Sequence, residues 1–215
     1  MSTTISEIKP SQSLMLGDCL KLMALLPEKS VDCTITSVPF MDKDVPIDWY
    51  DWLREFHFQR ERITRDYSIE FHSSTRLKEL MRRTDPFRWL VWYEKQVQTP
   101  YRWQPILIYQ MPSARYNFNA YCWQDHFTFG LVPKHEKLHI NQDPIGPYER
   151  CLHFVDRSKL CKLVIDPCMG SGTSGCAALL RNMSYIGMEI DKERFNVANY
   201  RIRHYSGQQR LEESQ

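Results

Sequence analysis

The sequence predicts a single α/β domain, doubly wound around one mostly parallel sheet. Three observations predict it. Short β-branched runs alternate with segments of helical period, a glycine-rich turn joins such a run to a helix near the C-terminus, and a second tight turn follows a buried run near the N-terminus. With 215 residues the chain can build one domain with a real core and is short for two.

The elements follow in order. Residues 13–16 read as a strand ending at Gly17-Asp18, and a helix with Leu20, Met23 and Ala24 on one face stops near Pro27. Residues 31–36 form a β-branched strand that ends abruptly at Ser37-Val38-Pro39-Phe40. Residues 48–65 read as a helix rich in aromatics and arginine; 67–72 alternate as a strand, 76–83 suit a helix, and 87–93 and 105–109 suit strands. Between 111 and 143 no period is sustained, the pattern of a functional loop. Regularity returns with a helix over 147–155, a strand over 160–165, a helix over 173–181, a strand over 184–189 and a helix over 192–204, with a polar, frayed tail after Gly207.

Composition narrows the classes. With 42% hydrophobic and 25% charged residues the chain is neither disordered nor fibrous. No apolar run approaches the roughly 20 residues that span a bilayer, and residues 1–13 lack the apolar core of a signal peptide, so a cytoplasmic protein with no membrane partner is expected. The seven cysteines (Cys19, Cys33, Cys122, Cys151, Cys161, Cys168, Cys176) show no zinc spacing; they read as reduced, small hydrophobes, and no metal is expected. A net charge of +2 does not itself announce nucleic acid. Basic residues do cluster, at Arg54, Arg60, Arg62 and Arg65, at Arg76, Lys78, Arg82 and Arg83, and at Lys134, His135, Lys137 and His139; they suit either phosphates or solvated helix faces.

The strongest constellation is Asp166-Pro167-Cys168-Met169-Gly170-Ser171-Gly172-Thr173, a strand end, a glycine turn and a helix start. Gly170 and Gly172 permit a tight turn and close approach of a ligand to backbone, and the helix start offers free N–H groups. At the end of the next strand Glu189 can accept both hydroxyls of a ribose. Gly170, Gly172 and Gly175 match a dinucleotide fingerprint, but no Lys follows as in a phosphate-binding P-loop. Only about 40 residues follow the turn, so the remaining strands must come from earlier sequence, which points to a circularly permuted fold. The second constellation, Ser37-Val38-Pro39-Phe40, lies outside the carboxyl end of a strand, where open α/β sheets bind ligands.

Together and in this order, the two motifs resemble those of the permuted, β-class amino-methyltransferases of DNA. That family carries an (Asp/Asn/Ser)-Pro-Pro-(Tyr/Phe/Trp) turn first and Asp-Pro-Phe-x-Gly-Ser-Gly-Thr near the C-terminus. Leu16-Gly17-Asp18-Cys19, Asp143-Pro144 with Tyr148-Glu149-Arg150, and Tyr185 to Glu189 with Ala198 and Arg201-Ile202 extend the resemblance over nearly the whole chain. It implies a seven-stranded, circularly permuted sheet of the S-adenosylmethionine-dependent type, with S-adenosyl-L-methionine as cofactor. Asp18 would bind the adenine amino group, Glu189 the ribose, and Asp166, Pro167, Cys168, Gly170, Ser171, Gly172 and Thr173 would surround the methionine end.

The catalytic turn would be Ser37, Val38, Pro39 and Phe40. An exocyclic amine is a poor nucleophile because its lone pair is delocalised. The Ser37 hydroxyl and the Ser37 or Val38 carbonyl would orient it, and Phe40 would stack on a base flipped out of double-stranded DNA. Serine at the first position is similar to cytosine-N4 enzymes, with adenine N6 the alternative. Two residues depart from the pattern. Cys168 replaces phenylalanine, and Val38 replaces the first proline, which is expected to loosen the turn and add a donor. Residues 111–143 lie where the family places target recognition, with Arg115, Asn117, Asn119, Trp123, Gln124, His126 and Lys134 as DNA-binding candidates.

Two other classes fit parts of the chain. A degenerate methyltransferase fold kept as a DNA-binding accessory would account for Val38, and a nicotinamide-dependent oxidoreductase would account for the glycine spacing alone. The resemblance also suggests a restriction-modification setting in a prokaryotic cell or its virus, and leaves the oligomeric state open, a homodimer included.

Overall fold

The computed structural model describes residues 10–39, 48–82, 84–95, 103–116, 125–139, 142–156 and 159–212. Their strands are β1 (Gln12–Leu16), β2 (Val31–Ser37), β3 (Thr64–Phe71), β4 (Arg88–Lys95), β5 (Trp103–Gln110), β6 (His126–Gly130), β7 (Leu163–Asp166) and β8 (Ser184–Glu189). The helices are α1 (Cys19–Ala24), α2 (Trp49–Ile63), α3 (Leu77–Leu80), α4 (Ile145–Val155), α5 (Thr173–Leu180) and α6 (Lys192–Glu212).

The strands form one sheet in the order β1-β8-β7-β2-β3-β5-β4-β6. Neighbours from β1 to β3 are parallel, β5 runs antiparallel to both β3 and β4, and β6 pairs parallel with β4. The central β2, with β-branched residues at Val31, Thr34, Ile35 and Thr36, is buried on both faces up to Ser37, as a central parallel strand must be. Its two faces feed separate cores. Cys33, Ile35 and β3 residues Tyr67, Ile69 and Phe71 pack with α4, α5 and α6. Val31, Ile165 and Met188 pack with α1 and α2. Helices therefore cover both faces, the doubly wound arrangement that places ligand sites at the carboxyl ends of the strands.

Four expectations are corrected. The sheet has eight strands among the described residues instead of seven, because His126–Gly130 pairs with the edge of β4. The segment 111–143 is thus not irregular throughout; Phe127 and Phe129 alternate inward with period two. The helix expected over 48–65 ends at Ile63, where β-branched Thr64 turns to extended geometry and starts β3 with no loop between. The last helix continues past His204 to Glu212.

Buried charge ties α2 to the sheet. Glu70 of β3 is fully buried, with Arg60 Nε at 3.1 Å, His57 Nε2 at 3.1 Å and His72 Nε2 at 3.2 Å. Burial alone would raise its pKa, but Arg60 and His57 outweigh that and hold it well below the usual carboxylate range. Among the described residues no helix is long and apolar enough to cross a membrane.

Candidate active site

The glycine turn leaves β7 at Asp166 and enters α5 at Thr173. Gly170 (φ +52°) and Gly172 (φ +81°) are both left-handed, as the tight turn requires. They differ in surroundings. A Cβ on Gly172 would lie 3.0 Å from Ala198 Cβ and Ile202 Cδ1, whereas a Cβ on Gly170 would meet nothing within 4 Å. The turn is therefore packed against α6 on one side and open at Gly170. Arg201 of α6, outside both sequence motifs, grips it: its Nη1 donates to Ser171 O (2.6 Å), Ser171 Oγ (3.0 Å) and Thr173 Oγ1 (3.2 Å). The Thr173 hydroxyl donates in turn to Asp143 O at 3.2 Å.

Glu189 closes the turn from β8. Its Oε2 accepts from Gly170 N and its Oε1 from Asp191 N, each at 2.9 Å. Each oxygen keeps a further lone pair for a ligand hydroxyl. The Glu189 carbonyl accepts from Gly17 N at 2.8 Å, which sets Asp18 beside it; Asp18 Oδ1 caps α1 by accepting from Leu20 N at 3.0 Å. Cys168 and Cys19 lie with their sulfurs 3.9 Å apart beneath the turn.

Asp166, expected among the residues around the methionine end, makes its hydrogen bonds within the protein. It is buried, and its carboxylate is taken up by the protein: Oδ1 accepts from Thr36 Oγ1 (2.6 Å) and Cys168 N (2.9 Å), and Oδ2 from the Ser174 hydroxyl. Burial pushes its pKa up to about 6, against the pull of those donors. Asp166 thus holds the turn in shape and ties it to Thr36, the residue before Ser37. Pro167 lies buried next to it.

The second turn is set by β3. Ser37 is the register partner of Phe71, and Val38 N donates to Phe71 O at 3.0 Å, adding a rung to the ladder. Val38 is 1% exposed and packs with α2 residues Trp49 and Trp52. The expected loosening is therefore corrected: the extra donor is paired and the valine is buried. Pro39 O accepts from Trp49 Nε1 at 2.8 Å. Phe40 lies outside the described residues. Tyr148 of α4 packs beside this turn; its ring stacks at 4.2 Å on Phe71, the register partner of Ser37.

The DNA-binding candidates separate. Arg115 pairs with Asp66 Oδ2 and Asp32 Oδ1, each at 2.6 Å, and donates to Leu160 O at 3.0 Å. Asp32 precedes Ser37 by five residues of strand, roughly 16 Å. Arg115 thus braces the opposite end of the sheet, and its role as a base reader is withdrawn. Asn117, Asn119, Trp123 and Gln124 lie outside the described residues. His126 starts β6 with its ring edge-on to Tyr93 at 6.3 Å, and Lys134 is exposed in a single 3-10 turn. The first basic cluster is largely structural: Arg60 pairs with Glu70, Arg62 donates to Leu26 O and Met23 O, and Arg65 pairs with Asp32. Among the described residues no group of three or more His, Cys, Asp or Glu could hold a metal ion.

Comparison with known proteins places this geometry. The DNA methylase family matches residues 48–200. The orphan methyltransferase M.BamHII of Bacillus amyloliquefaciens is 45% identical over 53 residues, 25% of this chain and 20% of that protein. The PvuII cytosine-N4-specific DNA methyltransferase superposes with a TM-score of 0.70 at 15% identity, covering 91% of this chain and 89% of that one. M1.HpyAVI, solved as a complex with SAM, gives 0.62 at 20% identity over 88% and 99%. The fold is the α/β one of these solved structures, with the glycine turn and the Ser37 turn at the same edge of its sheet. The chain belongs to the DNA methylase family.

Proposed function

We propose that the protein transfers a methyl group from S-adenosyl-L-methionine to the exocyclic N4 amine of a cytosine flipped out of double-stranded DNA. One observation carries the reading: the Thr36–Asp166 bond of 2.6 Å joins the strand that ends in Ser37 to the glycine turn. Target acceptor and cofactor cradle are thereby held together by a single buried carboxylate.

The residues present fit the cofactor. The open side of Gly170 leaves room against backbone, where a side chain would intrude. Glu189 keeps acceptor capacity for a ribose while Gly170 N and Asp191 N orient it. Asp18, tied beside Glu189 through Gly17, offers its second oxygen to an adenine amino group. Bound there, the cofactor supplies a methyl group on an electrophilic sulfonium. The chain's own part is positioning. The half-buried Ser37 hydroxyl accepts an N–H of the target amine and helps localise its lone pair toward the methyl group. The Phe71 and Trp49 bonds keep the backbone of 37–39 in place. Serine, a neutral acceptor, favours cytosine N4 over adenine N6. His126 and Lys134 remain candidates for DNA contact, and a restriction-modification setting fits the relatives.

The test is to incubate the protein with DNA and S-adenosylmethionine, digest the DNA and identify nucleosides by mass spectrometry. N4-methylcytosine is expected. N6-methyladenine would overturn the base assignment, and no methylated base would overturn the catalytic reading.

A further inference from the structure

Cys19 and Cys168 come from two separate segments of the candidate cofactor site, and their sulfurs lie 3.9 Å apart. Cys19 opens α1 directly after Asp18, whose carboxylate caps that helix at Leu20 N. Cys168 sits in the glycine turn. Its own N–H donates to Asp166 Oδ1 at 2.9 Å, and the next amide, Met169 N, donates to Met188 O at 2.9 Å. Both cysteines pack in the apolar cluster that holds Met15, Ile186 and Met188. Among the described cysteines Cys168 is half-buried and the other five are buried. The phenylalanine of the family pattern, which Cys168 replaces, could form no such pair.

A disulfide holds its sulfurs about 2.05 Å apart, so the pair must close by about 1.9 Å to form one. We propose that Cys19 and Cys168 are a redox-sensitive modification site: a hydroperoxide oxidises them to a disulfide that draws the glycine turn toward α1 and weakens S-adenosylmethionine binding. The inference rests on the cofactor role given to that turn above. Cys168, the thiol that solvent reaches, loses its proton and attacks a peroxide oxygen. The O–O bond breaks, one water leaves, and a sulfenic acid remains on Cys168. Cys19 then attacks that sulfur; the S–S bond forms, the S–O bond breaks, and a second water leaves. Two thiol hydrogens and two electrons thus pass to one hydrogen peroxide, which becomes two waters. The Cys19 contact and burial hold the Cys168 thiol well above its ordinary range, so thiolate is scarce at neutral pH and low peroxide oxidises it slowly. The backbone of Cys168 cannot follow its sulfur freely, because its N–H is tied to the Asp166 oxygen that also holds Thr36. Closing the bond therefore strains the turn just ahead of Gly170.

The test treats the protein with hydrogen peroxide, blocks free thiols and maps disulfides in a tryptic digest by mass spectrometry. A peptide linking Cys19 to Cys168 is expected. By calorimetry the Kd for S-adenosylmethionine should rise roughly tenfold, the worth of about one hydrogen bond, and dithiothreitol should restore it. By reciprocity, saturating cofactor should make the disulfide harder to form by the same factor. Cys19→Ala should bind the cofactor as the reduced wild type does and show no reversible rise after peroxide. Absence of the linked peptide, an equal reversible loss in Cys19→Ala, or a linked protein whose Kd stays within about twofold would overturn the switch. Should the reduced protein bind no S-adenosylmethionine, the cofactor role of the turn fails on its own account, and hydrogen exchange then decides. Altered protection of the Met169 and Gly172 amides in the linked protein supports the coupling of the pair to the turn; unchanged protection overturns it.

Discussion

Replacing Val38 by proline restores the family's turn sequence, yet the structure predicts that it harms this protein. The Val38 amide donates to Phe71 O at 3.0 Å, and the valine is 1% exposed between the sheet and α2. Proline has a side chain of similar apolar size, so little burial is lost. It removes the N–H, and its Cδ would project at the Phe71 carbonyl that the hydrogen now meets. A buried carbonyl left without its partner costs about 1–3 kcal/mol. Forcing β2 and β3 apart at their last rung adds to this, while the stiffer unfolded chain returns about 0.4–1 kcal/mol. A net loss of about 2 kcal/mol lowers Tm by roughly 4–8 °C in a domain of this size. Methyl transfer should fall too, because Ser37 is one residue from the broken rung. Thermal melts and a methylation assay on the two proteins check this together. A Val38→Pro protein that melts at or above the wild type and methylates at least as fast would refute the reasoning.

Three further outcomes follow from the same geometry. The two glycines should separate: Gly172→Ala, crowded at 3.0 Å by Ala198 and Ile202, should cost about 1–3 kcal/mol in denaturant melts, whereas Gly170→Ala should cost about 1 kcal/mol of backbone strain but weaken S-adenosylmethionine binding at least tenfold by calorimetry. Glu189→Gln should weaken the cofactor by roughly tenfold or more, the worth of a hydrogen bond to a charged acceptor, with the fold intact in circular dichroism. Asp166 sets a pH dependence: its folded pKa is raised from 3.8 to about 6, so the folded state binds more protons in that window and stability falls as pH rises through it, by at most about 3 kcal/mol. Asp166→Asn should flatten that limb in denaturant melts of the ligand-free protein; an unchanged limb would remove Asp166 as its cause.

How much of this was legible in the chain depended on sequence distance. Strands β1, β2 and β8 announce themselves by local pattern, and both turns stand at strand ends where the sequence puts them. β6 carries the same signal in Phe127 and Phe129, but it is only five residues long, its other residues are His126, Thr128 and Gly130, and an edge strand needs its partner to be seen. Arg115 illustrates a harder limit. Its side chain suits a phosphate or a base edge, and only the pairing of strands shows that Asp32 and Asp66 surround it at the far end. Val38 misled for a related reason. The sequence shows an N–H where the family has none, and the acceptor that satisfies it lies in β3, more than thirty residues away. Arg201 and Tyr148 serve turns distant in the chain, so no local motif contains them.

The buried Asp166 carboxylate couples the two turns mechanically. A carboxylate buried to this degree is disfavoured, as its raised pKa shows, and it is held by donors from three separate places: Thr36 on β2, Cys168 in the turn and Ser174 on α5. Moving any of them relative to the others leaves part of the charge uncompensated, so the penalty rises steeply with displacement. A surface contact between the same elements would be softer, because water could replace a lost partner. In-line methyl transfer needs acceptor and donor aligned to within fractions of an ångström. A costly buried anion between the strand that carries Ser37 and the turn that carries Gly170 provides that stiffness where apolar packing alone, which tolerates small slides, would not. On this argument Asp166→Asn should make the ligand-free protein more stable at neutral pH and a poorer enzyme, with stability and rate moving in opposite directions.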